Sequence, residues 1–199
     1  FFMKYYVDSK ILESDKPLSL GEIFNKLDLG SNVLGAEVEG EVKDFYFNPA
    51  DESKIYPIFL DNEKSLTLIR HSAAHILAQA VQSIYPDTKV TIGPVIDDGF
   101  YYDFYTDRNF TEDDLKLFEN KMHEILEKNV SFEKEVINKN EALKIFSNMG
   151  ETFKEEIIND LDESQEISLY KQGDWFDLCR GPHLPNSIFI KSFKLLSVA

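Results

Sequence analysis

The chain has 199 residues, of which 43% are hydrophobic, so it carries enough apolar material for a packed core and does not have the composition of a disordered chain. Its net charge of −15 argues against a nucleic-acid binder, unless a local basic patch or another part of the protein supplies the phosphate contacts. No apolar run approaches the ~20 residues that span a bilayer. We therefore expect a soluble, cytoplasmic protein with no membrane partner, and its single cysteine, Cys179, excludes an internal disulfide.

Residues 1–62 predict a small α+β domain. Ser19 and Glu22 have the spacing of a capping box, which predicts a short helix that ends near Gly30. The runs that favour strands are 4–7, 34–38, 42–47 and 54–60. Strands around one helix indicate a compact β-grasp sheet, and nothing in this stretch has the spacing of a catalytic site.

Residues 63–199 predict a larger α+β domain. Ser65 can cap a long helix that runs to Ile84 before Pro86, with an apolar stripe that begins at Leu66 and Ile69. Thr111 and Asn140 each predict the start of a further helix. The runs that favour strands are 90–95, 100–104, 154–158, 167–170 and 175–178. Strands and helices do not alternate strictly, so we expect an α+β fold in which the long helix packs on an antiparallel sheet.

Two paired signatures hold most of the reactive side chains. His71 and His75 are one helical turn apart, and their face is rotated by about 200° from the apolar stripe, so they point into a cleft or into water. Cys179 and His183 repeat the four-residue separation. Together these residues are four ligands of the kind that zinc prefers, and equally a set of groups that can activate a water. The fourth histidine, His123, is expected to face solvent.

Four segments, in this order, resemble the editing domain of bacterial threonyl-tRNA synthetases: 70–75, 91–104, 150–154 and 177–183. Residues 1–62 resemble, more loosely, the N-terminal TGS-like β-grasp domain of that family. The resemblance implies that the chain hydrolyses the ester of mischarged Ser-tRNA(Thr), while the parent enzyme ligates threonine to tRNA(Thr) with ATP. Serine and threonine differ by one methyl group, which gives only ~10–200-fold discrimination on binding and makes a second, hydrolytic site necessary.

The same resemblance implies roles for individual residues. His71 and Lys154 correspond to positions that handle the attacking water, and His75, Cys179 and His183 to the other catalytic positions of the pocket. Asp177 corresponds to a carboxylate that binds the substrate amine. Tyr101 and Tyr102 could line the pocket, and Asp103 could orient a neighbour, although aromatic residues on a strand are more often core.

For the tRNA partner, the basic residues near the Cys-His segment are candidates for contacts with the acceptor end of tRNA(Thr). These candidates are Arg180, Lys191 and Lys194, with Arg70 before the first histidine.

Metal is an open alternative. We expect no metal to be required for editing, and we expect ATP and a zinc ion only in the synthetic domain. If zinc binds here, as in related alanyl-type editing domains, its ligands would be His71, His75, Cys179 and His183.

The family has aminoacylation and anticodon-binding domains that this sequence does not contain. We expect a monomeric fragment that works with the rest of a homodimeric synthetase. Two alternatives remain: a zinc-dependent alanyl-type trans-editing protein, and a non-catalytic module in which the four ligands form a structural zinc site. In the second alternative, removing zinc should unfold the protein.

Overall fold

The structure is a computed structural model that describes residues 2–199. The chain forms two compact units: one comprises the chain up to Ile69 with Gly181–Pro185, and the other comprises Arg70–Arg180 with Asn186–Ala199. Helices and strands are mixed in both, which confirms the α+β class. Among the described residues, no helix has both the length and the apolar character needed to cross a membrane.

The first unit is a five-stranded sheet with one helix. Its strands are β1 (Met3–Val7), β2 (Lys10–Ser14), β3 (Val33–Val38), β4 (Glu41–Lys43) and β5 (Lys54–Phe59). They lie in the order β2-β1-β5-β3-β4, in which β1 and β5 are parallel and the other neighbours antiparallel. Helix α1 (Leu20–Lys26) begins after Ser19, and the reciprocal hydrogen bonds between Ser19 and Glu22 confirm the predicted capping box.

The core of the first unit consists of apolar side chains from the helix and the inner face of the sheet. Its largest fully buried members are Tyr5, Leu18, Leu20, Ile23 and Ile55. The hydroxyl of Tyr5 accepts a hydrogen bond from the backbone N–H of Leu18 at 3.0 Å, so the one polar atom of this ring is satisfied.

Two expectations for the first unit differ from the structure. Strand β2 was not predicted, because its exposed residues follow no alternating pattern. The strand predicted over 42–47 ends at Lys43, since Asp44 turns the chain. The Asp44 carboxylate accepts a hydrogen bond from the N–H of Tyr46 at 3.1 Å, and the Asp44 backbone carbonyl accepts one from the N–H of Phe47 at 3.2 Å. These two N–H groups therefore bond within a turn and not to a neighbouring strand.

The second unit contains the greater part of helix α2 (Ser65–Ile84), which begins in the first unit. The other helices are α3 (Glu112–Leu126), α4 (Lys139–Asn148) and α5 (Thr152–Asp160). The strands are β6 (Lys89–Val90), β7 (Val95–Ile96), β8 (Gly99–Phe100), β9 (Phe104–Tyr105), β10 (Phe132–Ile137), β11 (Ile167–Gln172) and β12 (Trp175–Leu178). Strands β10, β11 and β12 form an antiparallel sheet, while β6 pairs with β9 and β7 with β8.

Helix α2 is buried around most of its circumference rather than along one stripe. All residues from Ser72 to Ala78 are buried, whereas Leu66, predicted in the apolar stripe, is exposed. Ser65 is the first residue of the helix rather than its cap, and its hydroxyl donates to the carbonyl of Leu60 at 3.2 Å. Small residues such as Ala73, Ala74 and Ala78 let neighbouring elements approach α2 from several sides.

The strand predicted over 154–158 is wrong: this segment lies in helix α5. Lys154 and Ile158 are both buried, and their spacing of four places them on one helical face. Strand β10 was missed because only its end residues, Phe132 and Ile137, are buried. Helix α4 is capped by Asn138 and not by Asn140. In place of the strands predicted over 90–95 and 100–104, the structure has the four two-residue strands β6, β7, β8 and β9.

Candidate active site

The second unit contains a cavity of about 390 Å³ in which most of the predicted site residues meet. Its walls come from α2, the segment between β6 and β7, α5 and the β11–β12 hairpin. The predicted residues that line it are His71, His75, Tyr102, Lys154, Asp177, Cys179 and Arg180. Residues more than a hundred positions apart in the sequence therefore share one site.

Helix α2 places His71 and His75 on the cavity wall. The two rings lie 5.3 Å apart in an edge-to-face arrangement, and the ring of His75 makes a similar contact with Trp175 at 5.6 Å. His75 is only 3% exposed. Burial lowers the pKa of His75 well below its usual value, and the neighbouring His71 and Lys154 lower it further. His75 is therefore neutral at neutral pH.

Cys179 follows strand β12 and lies beside the first histidine. Its Sγ is 3.5 Å from Nε2 of His71. Strand β11 fixes the cysteine backbone, because the N–H of Cys179 donates to the carbonyl of Ser168 at 3.1 Å and the Ser168 hydroxyl donates to the carbonyl of Cys179 at 2.6 Å. The thiol is thus held next to an imidazole that can accept its proton.

Within the second unit, three of the four predicted zinc ligands are close enough to share a metal ion. One ligand atom each of His71, His75 and Cys179 lies within 4.8 Å of the others. Two imidazoles and a thiol are donors that suit zinc, so the group fits such an ion. The fourth predicted ligand, His183, belongs to the first unit, where it is buried and its backbone N–H donates to the carboxylate of Asp44 at 3.1 Å.

A buried ion pair forms the polar centre of the cavity. Nζ of Lys154 lies 3.0 Å from Oδ2 of Asp177, and the two side chains are 4% and 3% exposed. The ammonium also donates to the carbonyl of Thr91 at 2.8 Å. The carboxylate accepts from the hydroxyl of Tyr102 at 3.1 Å and from the backbone N–H of Leu178 at 2.8 Å. Helix α5 and strand β12 are thereby joined across the cavity.

The low polarity around this pair changes the acidity of its members. Burial raises the pKa of Asp177, while the charge of Lys154 and the hydrogen bonds to the carboxylate oppose that rise. Burial also raises the pKa of Tyr102 well above its usual value, and the Asp177 charge adds to the effect. Tyr102 consequently stays protonated and donates to Asp177.

The remaining predicted residues lie outside the cavity lining. Asp103 is exposed, and its backbone carbonyl accepts from both the N–H and the hydroxyl of Thr91. Lys191 is exposed, and Lys194 pairs with Glu119 at 2.9 Å. Tyr101 is 46% exposed.

Sequence reasoning missed three residues of the site, which act through a backbone carbonyl, a hydroxyl or small size. Thr91 supplies the carbonyl for Lys154, and Ser168 supplies both contacts to Cys179. A Cβ atom on Gly93 would lie 2.3 Å from Cδ2 of Tyr102, so only glycine leaves room for that ring. No sequence signal marks a backbone acceptor, although the glycine lies inside a segment that carried the family resemblance.

Comparison with known proteins supports the resemblance. Residues 167–199 match the family described as the threonyl and alanyl tRNA synthetase second additional domain. The threonine–tRNA ligase of Legionella pneumophila (strain Corby) is 42% identical over 194 residues, which cover 96% of this chain and 30% of the ligase. The chain is a homologue of one part of the threonine–tRNA ligases.

Two further ligases agree with that assignment. The threonine–tRNA ligase of Gluconacetobacter diazotrophicus is 48% identical over 172 residues, covering 86% of this chain and 27% of the ligase. That of Wolbachia pipientis subsp. Culex pipiens is 47% identical over 167 residues, covering 84% of this chain and 26% of the ligase. The chain thus spans less than a third of the ligases it matches. Together the matches support the interpretation that the chain corresponds to the editing region of an aminoacyl-tRNA synthetase.

Proposed function

We propose that this chain proofreads for a threonyl-tRNA synthetase by hydrolysing the ester of mischarged Ser-tRNA(Thr). The observation that carries the proposal is the buried Lys154–Asp177 pair in a cavity that is also lined by His71, His75 and Cys179. Ester hydrolysis needs an activated water and a donor for the developing oxyanion, and this cavity offers both kinds of group. The relatives are ligases for threonine, for which serine is the smaller competitor that binding discriminates poorly.

Lys154 supplies the electrostatic part of the mechanism. An ammonium has three N–H donors, and two of them bond to Thr91 and Asp177. The third is available for the ester oxyanion or for the leaving ribose oxygen. Because the ammonium is held in a buried position before substrate binds, it stabilises developing charge without first having to reorganise.

His71 is the group that we assign to the attacking water. His75 is buried and neutral, while His71 is half-buried and lines the cavity with one nitrogen beside Cys179. A half-buried imidazole can accept a proton from water and pass it on to solvent. The His75 ring packs against the His71 ring and restricts its rotation. His183, in the segment 181–185, is also proposed as a catalytic residue.

Asp177 and Tyr102 are the proposed binding groups for the seryl amine. The carboxylate already accepts from Lys154, Tyr102 and Leu178, yet its two oxygens offer about four lone-pair positions, which leaves capacity for an ammonium. Arg180 at the cavity wall, with Lys191 and Lys194, is proposed to contact the acceptor end of tRNA(Thr). Lys194 must leave Glu119 to do so. Asp103 contributes by holding the Thr91 segment through its backbone.

The wider organisation follows from the same proposal. Residues 1–62 would be a TGS-like β-grasp domain, which the five-stranded sheet around α1 supports, and residues 63–199 the editing domain. The synthetic domain of the parent enzyme, a homodimer, would bind ATP and its own zinc ion and ligate threonine to tRNA(Thr).

The direct test is deacylation of preformed Ser-tRNA(Thr) and Thr-tRNA(Thr) by the 199-residue chain, with and without a chelator. We expect selective hydrolysis of the seryl ester that survives chelation. Lys154→Ala and His71→Ala should each lower the rate by about 10²–10³-fold. Hydrolysis of neither ester at high enzyme concentration would contradict the proposal.

A zinc-dependent alanyl-type trans-editing activity is the second candidate, favoured by the close approach of the ligand atoms of His71, His75 and Cys179. Zinc bound by these residues would supply Lewis-acid polarisation of water or of the ester carbonyl. Loss of hydrolysis on chelation, restored by one equivalent of zinc, would support this candidate over the first.

A further inference from the structure

Gln82, on helix α2 two turns beyond His75, makes three hydrogen bonds to three different segments of the second unit. Its Nε2 donates to Oε1 of Glu151 and to the carbonyl of Thr88, each at 2.9 Å. Its Oε1 accepts from the indole N–H of Trp175 at 2.7 Å. The side-chain amide thus uses both of its N–H groups and its oxygen.

Each of these three partners is followed within three residues by Lys154, Asp177 or Thr91, which are the two members of the buried ion pair and the carbonyl acceptor of Lys154. Glu151 precedes helix α5, which carries Lys154, and its backbone carbonyl accepts from the N–H of Lys154 at 3.0 Å. Trp175 lies two residues before Asp177 on β12. Thr88 lies three residues before Thr91, whose carbonyl accepts from Lys154.

The contacts of Gln82 are partly buried, and two of its partners, Glu151 and Thr88, are almost fully buried. Glu151 is 3% exposed, and the side chain of this residue turns away from the start of α5 to meet Gln82, so it makes no capping bond to its own helix. Within residues 2–199, its other carboxylate oxygen is buried without a hydrogen-bond partner, which leaves the contact with Gln82 as the side-chain bond that satisfies the group. Losing such a bond in a buried place leaves polar atoms unsatisfied and displaces the elements that carry them.

We infer that Gln82 is a positioning residue for the hydrolytic site: it fixes the three segments that hold the Lys154–Asp177 pair to the helix that carries His71 and His75. The expected loss of kcat rests on the proposed function, whereas the anchoring of the three segments by Gln82 does not. Gln82 does not line the cavity, so it acts through other residues and does not touch the substrate.

The first variant removes all three contacts. Gln82→Leu should lower kcat for Ser-tRNA(Thr) hydrolysis at least tenfold with KM within about twofold, since small displacements of reacting groups are costly while binding surfaces stay intact. Ser83→Ala, on the exposed side of the same helix, is the matched control and should keep the wild-type rate. A wild-type kcat in Gln82→Leu would overturn the inference.

Two conservative variants separate positioning from mere packing. At a pH where both carboxyls are ionised, Gln82→Glu can still accept from Trp175 but cannot donate to Glu151 or Thr88, so it should lose kcat as Gln82→Leu does. Glu151→Gln keeps an acceptor for Gln82 and removes only the charge, so its kcat should stay within about twofold of wild type. A tenfold loss in Glu151→Gln would show that charge, and not the contact, matters. Should Gln82→Leu fail to fold, these two variants carry the test.

A spectroscopic readout is independent of the proposed activity. Trp175 is the single tryptophan, so the chain gives one indole N–H resonance. This resonance should be protected from hydrogen exchange in the wild type and in Gln82→Glu, and it should shift and exchange faster in Gln82→Leu. If the wild type hydrolyses no ester, the proposed function fails, but the indole resonance still shows whether Gln82 holds Trp175. An unchanged indole resonance in Gln82→Leu would overturn the inference itself.

Discussion

Lys154 and Asp177 compensate each other's charge where both side chains are almost fully buried. Replacing Lys154 by Met leaves a buried carboxylate without its cation, and breaking such a pair costs about 3–5 kcal/mol. Because burial already raises the pKa of Asp177, the free carboxyl should become protonated, so the loss in unfolding free energy should shrink as the pH falls towards 5. Urea denaturation at pH 7.5 and pH 5 measures both effects.

The control for Lys154→Met is Lys171→Met. Lys171 pairs with Glu135, but these side chains are 42% and 47% exposed. An exposed pair contributes at most about 1 kcal/mol, so this variant should be close to wild type. Equal losses in the two variants would contradict the view that burial makes the Lys154–Asp177 pair important.

His75 should make the stability of the chain fall in mild acid. Its pKa in the folded state lies below the value of about 6.5 in the unfolded state, so the unfolded state binds a proton first. This residue costs no stability above pH 6.5, and its cost grows as the pH falls below that value, by up to ~1.4 kcal/mol per unit. Urea denaturation at pH 7.5 and pH 5.5 measures how much unfolding free energy is lost between these two values, and His75→Gln should lose about 1 kcal/mol less than wild type. An identical pH dependence in the two proteins would contradict the buried, neutral state of His75.

At the scale of elements, the segment between β6 and β7 positions Tyr102 through a glycine. A methyl group on Gly93 would overlap the Tyr102 ring at 2.3 Å, so Gly93→Ala should displace that ring and weaken its hydrogen bond to Asp177. We expect the rate of seryl-ester hydrolysis to fall about tenfold. Gly99→Ala is the matched control, because a Cβ there meets no atom of the described part of the chain within 4 Å. Equal rates in the two variants would show that Tyr102 tolerates displacement.

Element prediction succeeded where the local chemistry was decisive and failed where tertiary burial decided. The capping box of Ser19 and Glu22 predicts α1, because both partners are local. The segment 154–158 was predicted as a strand, whereas Lys154 and Ile158 share the buried face of helix α5 and Lys154 lines the cavity. A buried lysine counts as polar in any periodicity, so the pattern of apolar residues does not place Lys154 on the buried face of a helix.

The candidate site was more predictable than its supporting contacts. The spacing of His71 with His75 and of Cys179 with His183 singled out reactive side chains, since few other roles group such residues. The acceptor carbonyl of Thr91 and the anchoring amide of Gln82 carry no such signature. Both depend on which segments the fold brings together, and neither residue type nor local spacing shows that.

At the scale of the whole molecule, the charge of −15 opposes binding to tRNA. The few cations proposed to contact tRNA, Arg180 among them, give a shallow dependence on salt if they alone contact phosphates. We expect log Kd for tRNA(Thr) to change with log salt with a slope that corresponds to about two or three contacts, reduced by about one in Arg180→Gln. Filter binding between 50 and 200 mM salt measures the slope, and a slope unchanged in Arg180→Gln would exclude that arginine as a phosphate contact.

Metal removal tests the chemistry and the fold of the whole chain together. Since Lys154 already supplies a fixed positive charge in the cavity, we expect a chelator to leave both seryl-ester hydrolysis and the thermal midpoint unchanged. A structural zinc site would behave differently, because metal affinity is then folding free energy and chelation should unfold the protein. Cys179→Ser removes the softest ligand while keeping a similar volume, so under our expectation it should keep the thermal midpoint within a few degrees. A collapse of the midpoint in Cys179→Ser, matched by chelation of the wild type and reversed by zinc, would replace the metal-free site by a zinc-dependent one.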